Sequence, residues 1–143
     1  PPLSAMPRIV KAPANVVRAA ANGNVGVLRA WLSSDAADVN ALLMSCNGHE
    51  QVVELLLQHG AEINKQNSKG LTKLMCSASN CWEGVVELLL QHGAEINKQD
   101  SEGLTALMLA AGKGREQVVE LLIRRGAEVN LQDSDSYTAL MCA

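Results

Sequence analysis

Four cysteines, three histidines and a recurring glutamate are the side chains with which this chain could do chemistry. Cys76 and Cys81, with Cys46 and His49 upstream, come nearest to a metal-ligand set. Their C-x4-C spacing does not fit a zinc knuckle, and Cys76 and Cys142 fill a repeated position that holds Leu109 elsewhere, which argues for packing. A cysteine nucleophile needs an orienting base. His59 and His92 instead belong to duplicated Gln-His-Gly segments, where an imidazole stabilises the negative end of a helix. Glu54, Glu87 and Glu120 recur at one helical position and read as a solvated face. Gly112-Lys113-Gly114 follows a helical stretch and matches no phosphate-binding loop. The chain is therefore expected to have no catalytic residue, no metal and no cofactor, and not to be an enzyme.

Composition narrows the partners. Apolar residues make up 48% of the 143, but with two Trp, one Tyr and no Phe the core must be aliphatic. The net charge of −3, with Lys and Arg spread along the chain, leaves no basic stripe to displace counterions from a phosphate backbone, so nucleic acid is not an expected partner. No apolar run reaches the roughly 20 residues that span a bilayer, so membrane insertion is not expected. Residues 1–7 lack the apolar stretch of a signal peptide. The irregularly spaced cysteines in apolar contexts read as free thiols, and the expected location is intracellular, cytoplasmic or nuclear.

The elements follow from a repeat. The segment VVELLLQHGAEINKQ at 52–66 returns unchanged at 85–99, a shift of 33, and a close variant starts at Val118 after the same step. Val118, Val119, Leu121, Leu122 and Ile123 have helical spacing, and the run stops at Gly126, a natural left-handed cap. Thr105 caps a shorter helix carrying Leu107, Met108, Ala110 and Ala111. Between Asn97 and Thr105, residues 98–104 are polar with a glycine, and read as a projecting hairpin-like loop. The 33-residue period and the strings GLTALMLAA, GREQVVELL and GAEVN resemble the ankyrin repeat family over residues 14–143.

That resemblance implies an all-α solenoid of helix-turn-helix units, about four repeats and the start of a fifth. Residues 1–13 form an N-terminal extended segment, 14–40 a first, capping repeat with one extra residue in 33–40, 41–64 a second, 65–97 a third, 98–130 a fourth and 131–143 a partial fifth. The second repeat is nine residues short between Asn40 and Ala41, where the hairpin belongs. Either the loop was lost, or the sequence runs straight across an omitted loop. The tendency of exposed loop tips to lose order favours the second reading, in which residues 40 and 41 are not covalently joined. Three departures from the family stand out. Met replaces the usual His in Thr-Lys-Leu-Met and Thr-Ala-Leu-Met, which predicts a less ordered hairpin. Ser136 replaces a turn glycine, which predicts strain or a different turn, and Cys81-Trp82 replaces Gly-His.

Recurring positions bury the stack, so positions that differ between units are available to a partner. In the hairpins these are Ser68, Lys69 and Leu71; Ser101, Glu102 and Leu104; Ser134, Asp135 and Tyr137. On the first helices and their ends they are Arg18, Asn22, Asn47, Ser79, Asn80 and Lys113, with Trp82 at the start of a second helix. The resemblance places them along one concave groove, with Leu71, Leu104 and Tyr137 as exposed apolar anchors. The implied function is a non-catalytic scaffold that binds a partner protein or peptide. The alternative is a regulatory or targeting segment of a larger enzyme or channel, which the incomplete last repeat favours. End-to-end self-association through that open face is a further expectation. Asn64, Asn97 and Asn130 each follow a Leu by eight residues, a pattern similar to that modified by an asparaginyl hydroxylase in ankyrin proteins.

Overall fold

The computed structural model describes residues 12–33 and 39–143, so most of the 1–13 segment and the extra residue near 34–38 lie outside the described residues. Among the described residues there are nine helices and no strand. They fall into two compact units, Pro1–Glu62 and Ile63–Ala143. The first holds α1 (Ala14–Ala21), α2 (Val25–Leu32), α3 (Val39–Ser45) and α4 (Glu50–Gln58). The second holds α5 (Lys73–Ser79), α6 (Glu83–Gln91), α7 (Ala106–Gly112), α8 (Glu116–Arg124) and α9 (Ala139–Cys142).

Each unit is built in two layers. In the first, α1 packs on α3 and α2 on α4; in the second, α5, α7 and α9 form one layer and α6 and α8 the other. The helices before the last one spend most of their apolar side chains on their neighbours: Leu28, Leu42, Val52 and Leu56 are fully buried in one unit, and Val86, Leu89, Val118 and Leu122 in the other. Full burial of such side chains contributes about 1.5–3 kcal/mol each. Thr72 and Thr105 start α5 and α7 by accepting hydrogen bonds from Met75 N and Met108 N, both at 3.3 Å. Met75, in the place of the family's usual His, keeps a weak tie at the start of α5, because Thr72 N donates to Met75 Sδ at 3.5 Å.

The hairpins are ordered by their first residue. Asn67, Asp100 and Asp133 each accept, through Oδ1, the backbone N–H groups two and four residues ahead at 2.8–3.0 Å. Successive tips then meet edge to edge: Ser101 N donates to Lys69 O at 3.1 Å and Ser134 N to Glu102 O at 2.9 Å. Gln66 Nε2 clamps Gly70 O and reaches Gln99 O, and Gln99 Nε2 does the same to Gly103 O and Gln132 O. This approach needs glycine. Gly70 has φ +76 and a Cβ there would lie 2.7 Å from Ser101 N; Gly103 has φ +80 with Asp133 and Ser134 backbone at 3.0 Å. Ser136 keeps the same turn in the third hairpin at φ +67, so the outcome there is left-handed strain and not a different loop.

Residues 39–45 form one helix through the short junction of the second repeat. Asn40 Oδ1 accepts from Glu62 N at 2.7 Å, the tie that Asn64 makes to Glu95 N at 2.8 Å and Asn97 to Glu128 N at 2.9 Å. The inter-repeat bond therefore survives without a hairpin. The reading in which a hairpin was omitted between residues 40 and 41 predicts an intact mass above 15.2 kDa, and a mass of 15.2 kDa would refute it. Gly103→Ala, which meets backbone as well as an unfavourable φ, is expected to lower the urea-unfolding free energy by about 2 kcal/mol or more. Gly126→Ala, with open space around its Cβ, is expected to cost about 1 kcal/mol in the same measurement.

Candidate protein-binding surface

In Ile63–Ala143 the bonding of the tips uses backbone groups and recurring Gln and Asx side chains, which leaves Ser68, Lys69, Glu102, Ser134 and Asp135 exposed. Ser101 is exposed too, with its hydroxyl donating to Lys69 O at 2.8 Å. The three apolar positions separate. Leu71 and Leu104 are half-buried, because their amides are drawn in by Asn67 and Asp100, while Tyr137 is 54% exposed. Only Tyr137 is thus a fully presented apolar anchor. Lys113 and Asn80 are exposed at the ends of α7 and α5, and Ser79 is half-buried with its carbonyl accepting from Arg115 Nε at 3.0 Å. In Pro1–Glu62, Arg18, Asn22 and Asn47 are exposed, and Asn47 Nδ2 donates to Ala21 O at 3.0 Å.

Two of the residues that precede second helices share a task. His49 Nε2 lies 2.9 Å from Ala21 O, and Arg115 Nε bonds Ser79 O, each reaching the carbonyl that closes the first helix one repeat earlier. Trp82 occupies that station in the third repeat. It is half-buried, and the Lys73 ammonium stands 5.0 Å from its ring centroid. Lys73 itself is 1% exposed, the largest fully buried side chain among the described residues. Sequence reasoning missed it: the only signal was a Lys where the equivalent repeats carry Ala106 and Ala139. A cation over an indole face contributes roughly 2 kcal/mol when desolvated, which offsets part of the cost of burying the charge.

Cys46 is buried and the other three cysteines are half-buried free thiols. Burial pushes the Cys76 thiol up, against a smaller opposing effect of the Lys73 charge, and burial with the Asp133 carboxylate also raises Cys142. His59 and His92 cap α4 and α6, with His59 Nδ1 2.9 Å from Leu55 O. Glu87 pairs with Arg125 and accepts from Gln91, while Glu54 accepts from Gln58. Among the described residues no group of three His, Cys, Asp or Glu is arranged to hold a metal ion, and no helix is long and apolar enough to cross a membrane. At the last repeat an apolar cavity of about 370 Å³ lies between Leu107, Ile123, Val129 and Leu140.

Trp82→Leu is expected to lower stability, with part of the loss recovered when Lys73→Met is added. A double-mutant cycle by chemical denaturation should read a coupling of about 1–2 kcal/mol. A raised pKa means less thiolate at a given pH, so the alkylation-versus-pH profile of Cys76 should be displaced to higher pH than that of the same thiol in the unfolded chain.

The family model described as ankyrin repeats (3 copies) matches residues 16–100 and 84–143. Comparison with curated proteins returned no match. Repeats of this kind are generally protein–protein interaction modules and typically non-catalytic. The helix pairs, the repeated ties between them and this match, which extends over nearly the whole chain, show that it belongs to the ankyrin repeat family.

Proposed function

We propose that the chain is a non-catalytic recognition scaffold that binds a partner protein or peptide through its hairpin tips and the exposed side of its first helices. One observation carries this reading: the residues that hold neighbouring tips together act through backbone, Gln and Asx groups and the Ser101 hydroxyl, so Lys, Glu, Asp and Tyr side chains on the tips have no internal task. Lys69, Glu102, Asp135 and Tyr137 are such side chains, with Lys113 and Asn80 alongside. An exposed aromatic ring amid polar neighbours is the composition of a binding hot spot. Leu71 and Leu104 support the tips from half-buried positions, and Trp82 contributes at most its exposed edge.

Two finer readings accompany it. Hydroxylation of Asn130 is the most accessible of the three candidate modifications, because Asn64 and Asn97 hold inter-repeat bonds that their modification would have to keep or break. Self-association end to end is favoured by the exposed apolar surface at the last repeat, where Ile123 is 50% and Leu140 85% exposed.

Capture of partners by the full chain, compared with a Leu71→Ala, Leu104→Ala, Tyr137→Ala variant of verified folding, tests the main reading. Loss of the captured proteins is expected, with Tyr137→Ala alone accounting for most of it; identical capture by the variant would show the groove to be misassigned. A weight-average mass that rises with concentration, and no longer does so in Leu140→Glu, is the expected result for self-association.

A further inference from the structure

In the first, third and fourth repeats the turn between first and second helix follows one plan. The left-handed residue is Gly23, Cys81 or Gly114, at φ +75, +60 and +67, and its amide donates to the carbonyl three residues back, at Ala20, Ala78 and Ala111. The second repeat departs from this plan. There α3 ends one position early, at Ser45, and the left-handed residue is Asn47 at φ +51. In register with Gly23, Cys81 and Gly114 stands Gly48, and among the described residues its amide has no acceptor. Asn47 is exposed, and its Nδ2 donates to Ala21 O at 3.0 Å, beside His49 Nε2 at 2.9 Å from the same oxygen.

We propose that Asn47 is a site of spontaneous covalent modification, in which the chain's own Gly48 amide is the nucleophile. Gly48 N bonds to Asn47 Cγ, the Cγ–Nδ2 bond breaks, and the displaced nitrogen leaves as ammonia with the proton that Gly48 N gives up. The product is a cyclic succinimide. Water then opens the ring at either carbonyl, to aspartate or to the β-linked isoaspartate, each about 1 Da heavier than asparagine. Three features of the structure single out this residue. Glycine puts no Cβ in the path of the attacking nitrogen. The Gly48 amide is not committed to a hydrogen bond, whereas that of Gly23, which follows Asn22 in the other Asn-Gly pair, closes α1 onto Ala20 O. The Asn47 side chain is at the surface, where water can replace its bond to Ala21 O. Modification exchanges the Nδ2 donor for a carboxylate facing that carbonyl. The tie between the ends of α1 and α3 is then lost, and a neutral exposed position becomes negative.

This chemistry needs no partner, so it goes beyond the scaffold reading and either can fail alone. The test ages the full chain in mildly alkaline buffer and maps its peptides by mass spectrometry. Methyl transfer from S-adenosylmethionine by an isoaspartyl methyltransferase, which esterifies the free α-carboxylate of the β-linked product, counts the isoaspartate. Asn47 is expected to gain about 1 Da several-fold faster than Asn22, mostly as isoaspartate. Gly48→Ala should slow the reaction several-fold and still fold, since Cys81 carries a side chain at the same turn position. Asn47→Gln, whose longer side chain disfavours ring closure, should remove the signal. Conversion of Asn22 at an equal or higher rate, an unchanged rate in folded Gly48→Ala, or an unmodified Asn47 after the urea-unfolded chain has converted would overturn the proposal. Asn47→Asp, which carries the product's charge, is expected to unfold at a lower urea concentration than the parent chain with an unchanged slope. An unchanged midpoint would overturn the loss of the tie.

Discussion

A pair of helices seven to nine residues long has an apolar side that it cannot cover by itself. Both units follow from that deficit. First helices lie on first helices and second on second, so that Leu28, Leu56, Leu89 and Leu122 are each shielded by a neighbouring layer. Because the layers must keep a constant step, the polar groups between them are aligned as well, and the same bond recurs from Asn to the amide of the next repeat's Glu. Hydrogen bonds of this kind contribute about 1 kcal/mol each, less than one buried Leu. Their role is to fix the step that the apolar surface makes favourable.

Much of this was written in the period. A shift of 33 placed α6 and α8, and Thr72 and Thr105 announced the starts of α5 and α7, because a cap is a local event between a side chain and an amide three residues away. The hairpin glycines were legible for the same reason. Lys73 was not, since its burial depends on a ring nine positions along and on packing that no local pattern encodes. Leu71 and Leu104 were expected to be exposed from their hairpin position, yet both are half-buried, with their amides donating to Asn67 and Asp100. Met75 likewise kept a polar contact that its side-chain type did not advertise.

The short repeat shows which parts of the pattern are separable. Removing nine residues takes away a tip and the opening of a first helix, but α3 still forms and Asn40 still reaches Glu62. The stacking of helices and the pairing of tips are therefore distinct sets of interactions that share one spacing.

That separation explains why this architecture can vary its surface without losing its fold. The tips are held through carbonyls, amides and the short Gln and Asx side chains, and two glycines, Gly70 and Gly103, supply the room. A side chain at position 69, 102 or 135 contributes only its backbone to that arrangement, so Lys, Glu and Asp are tolerated in turn. Charge along the row is then set by composition alone, basic at Lys69 and acidic at Glu102 and Asp135, with no compensating change in the core. Where a side chain is recruited inward instead, as Lys73 is beneath its own helix layer, it ceases to be free to vary, and a second residue, Trp82, becomes bound to it.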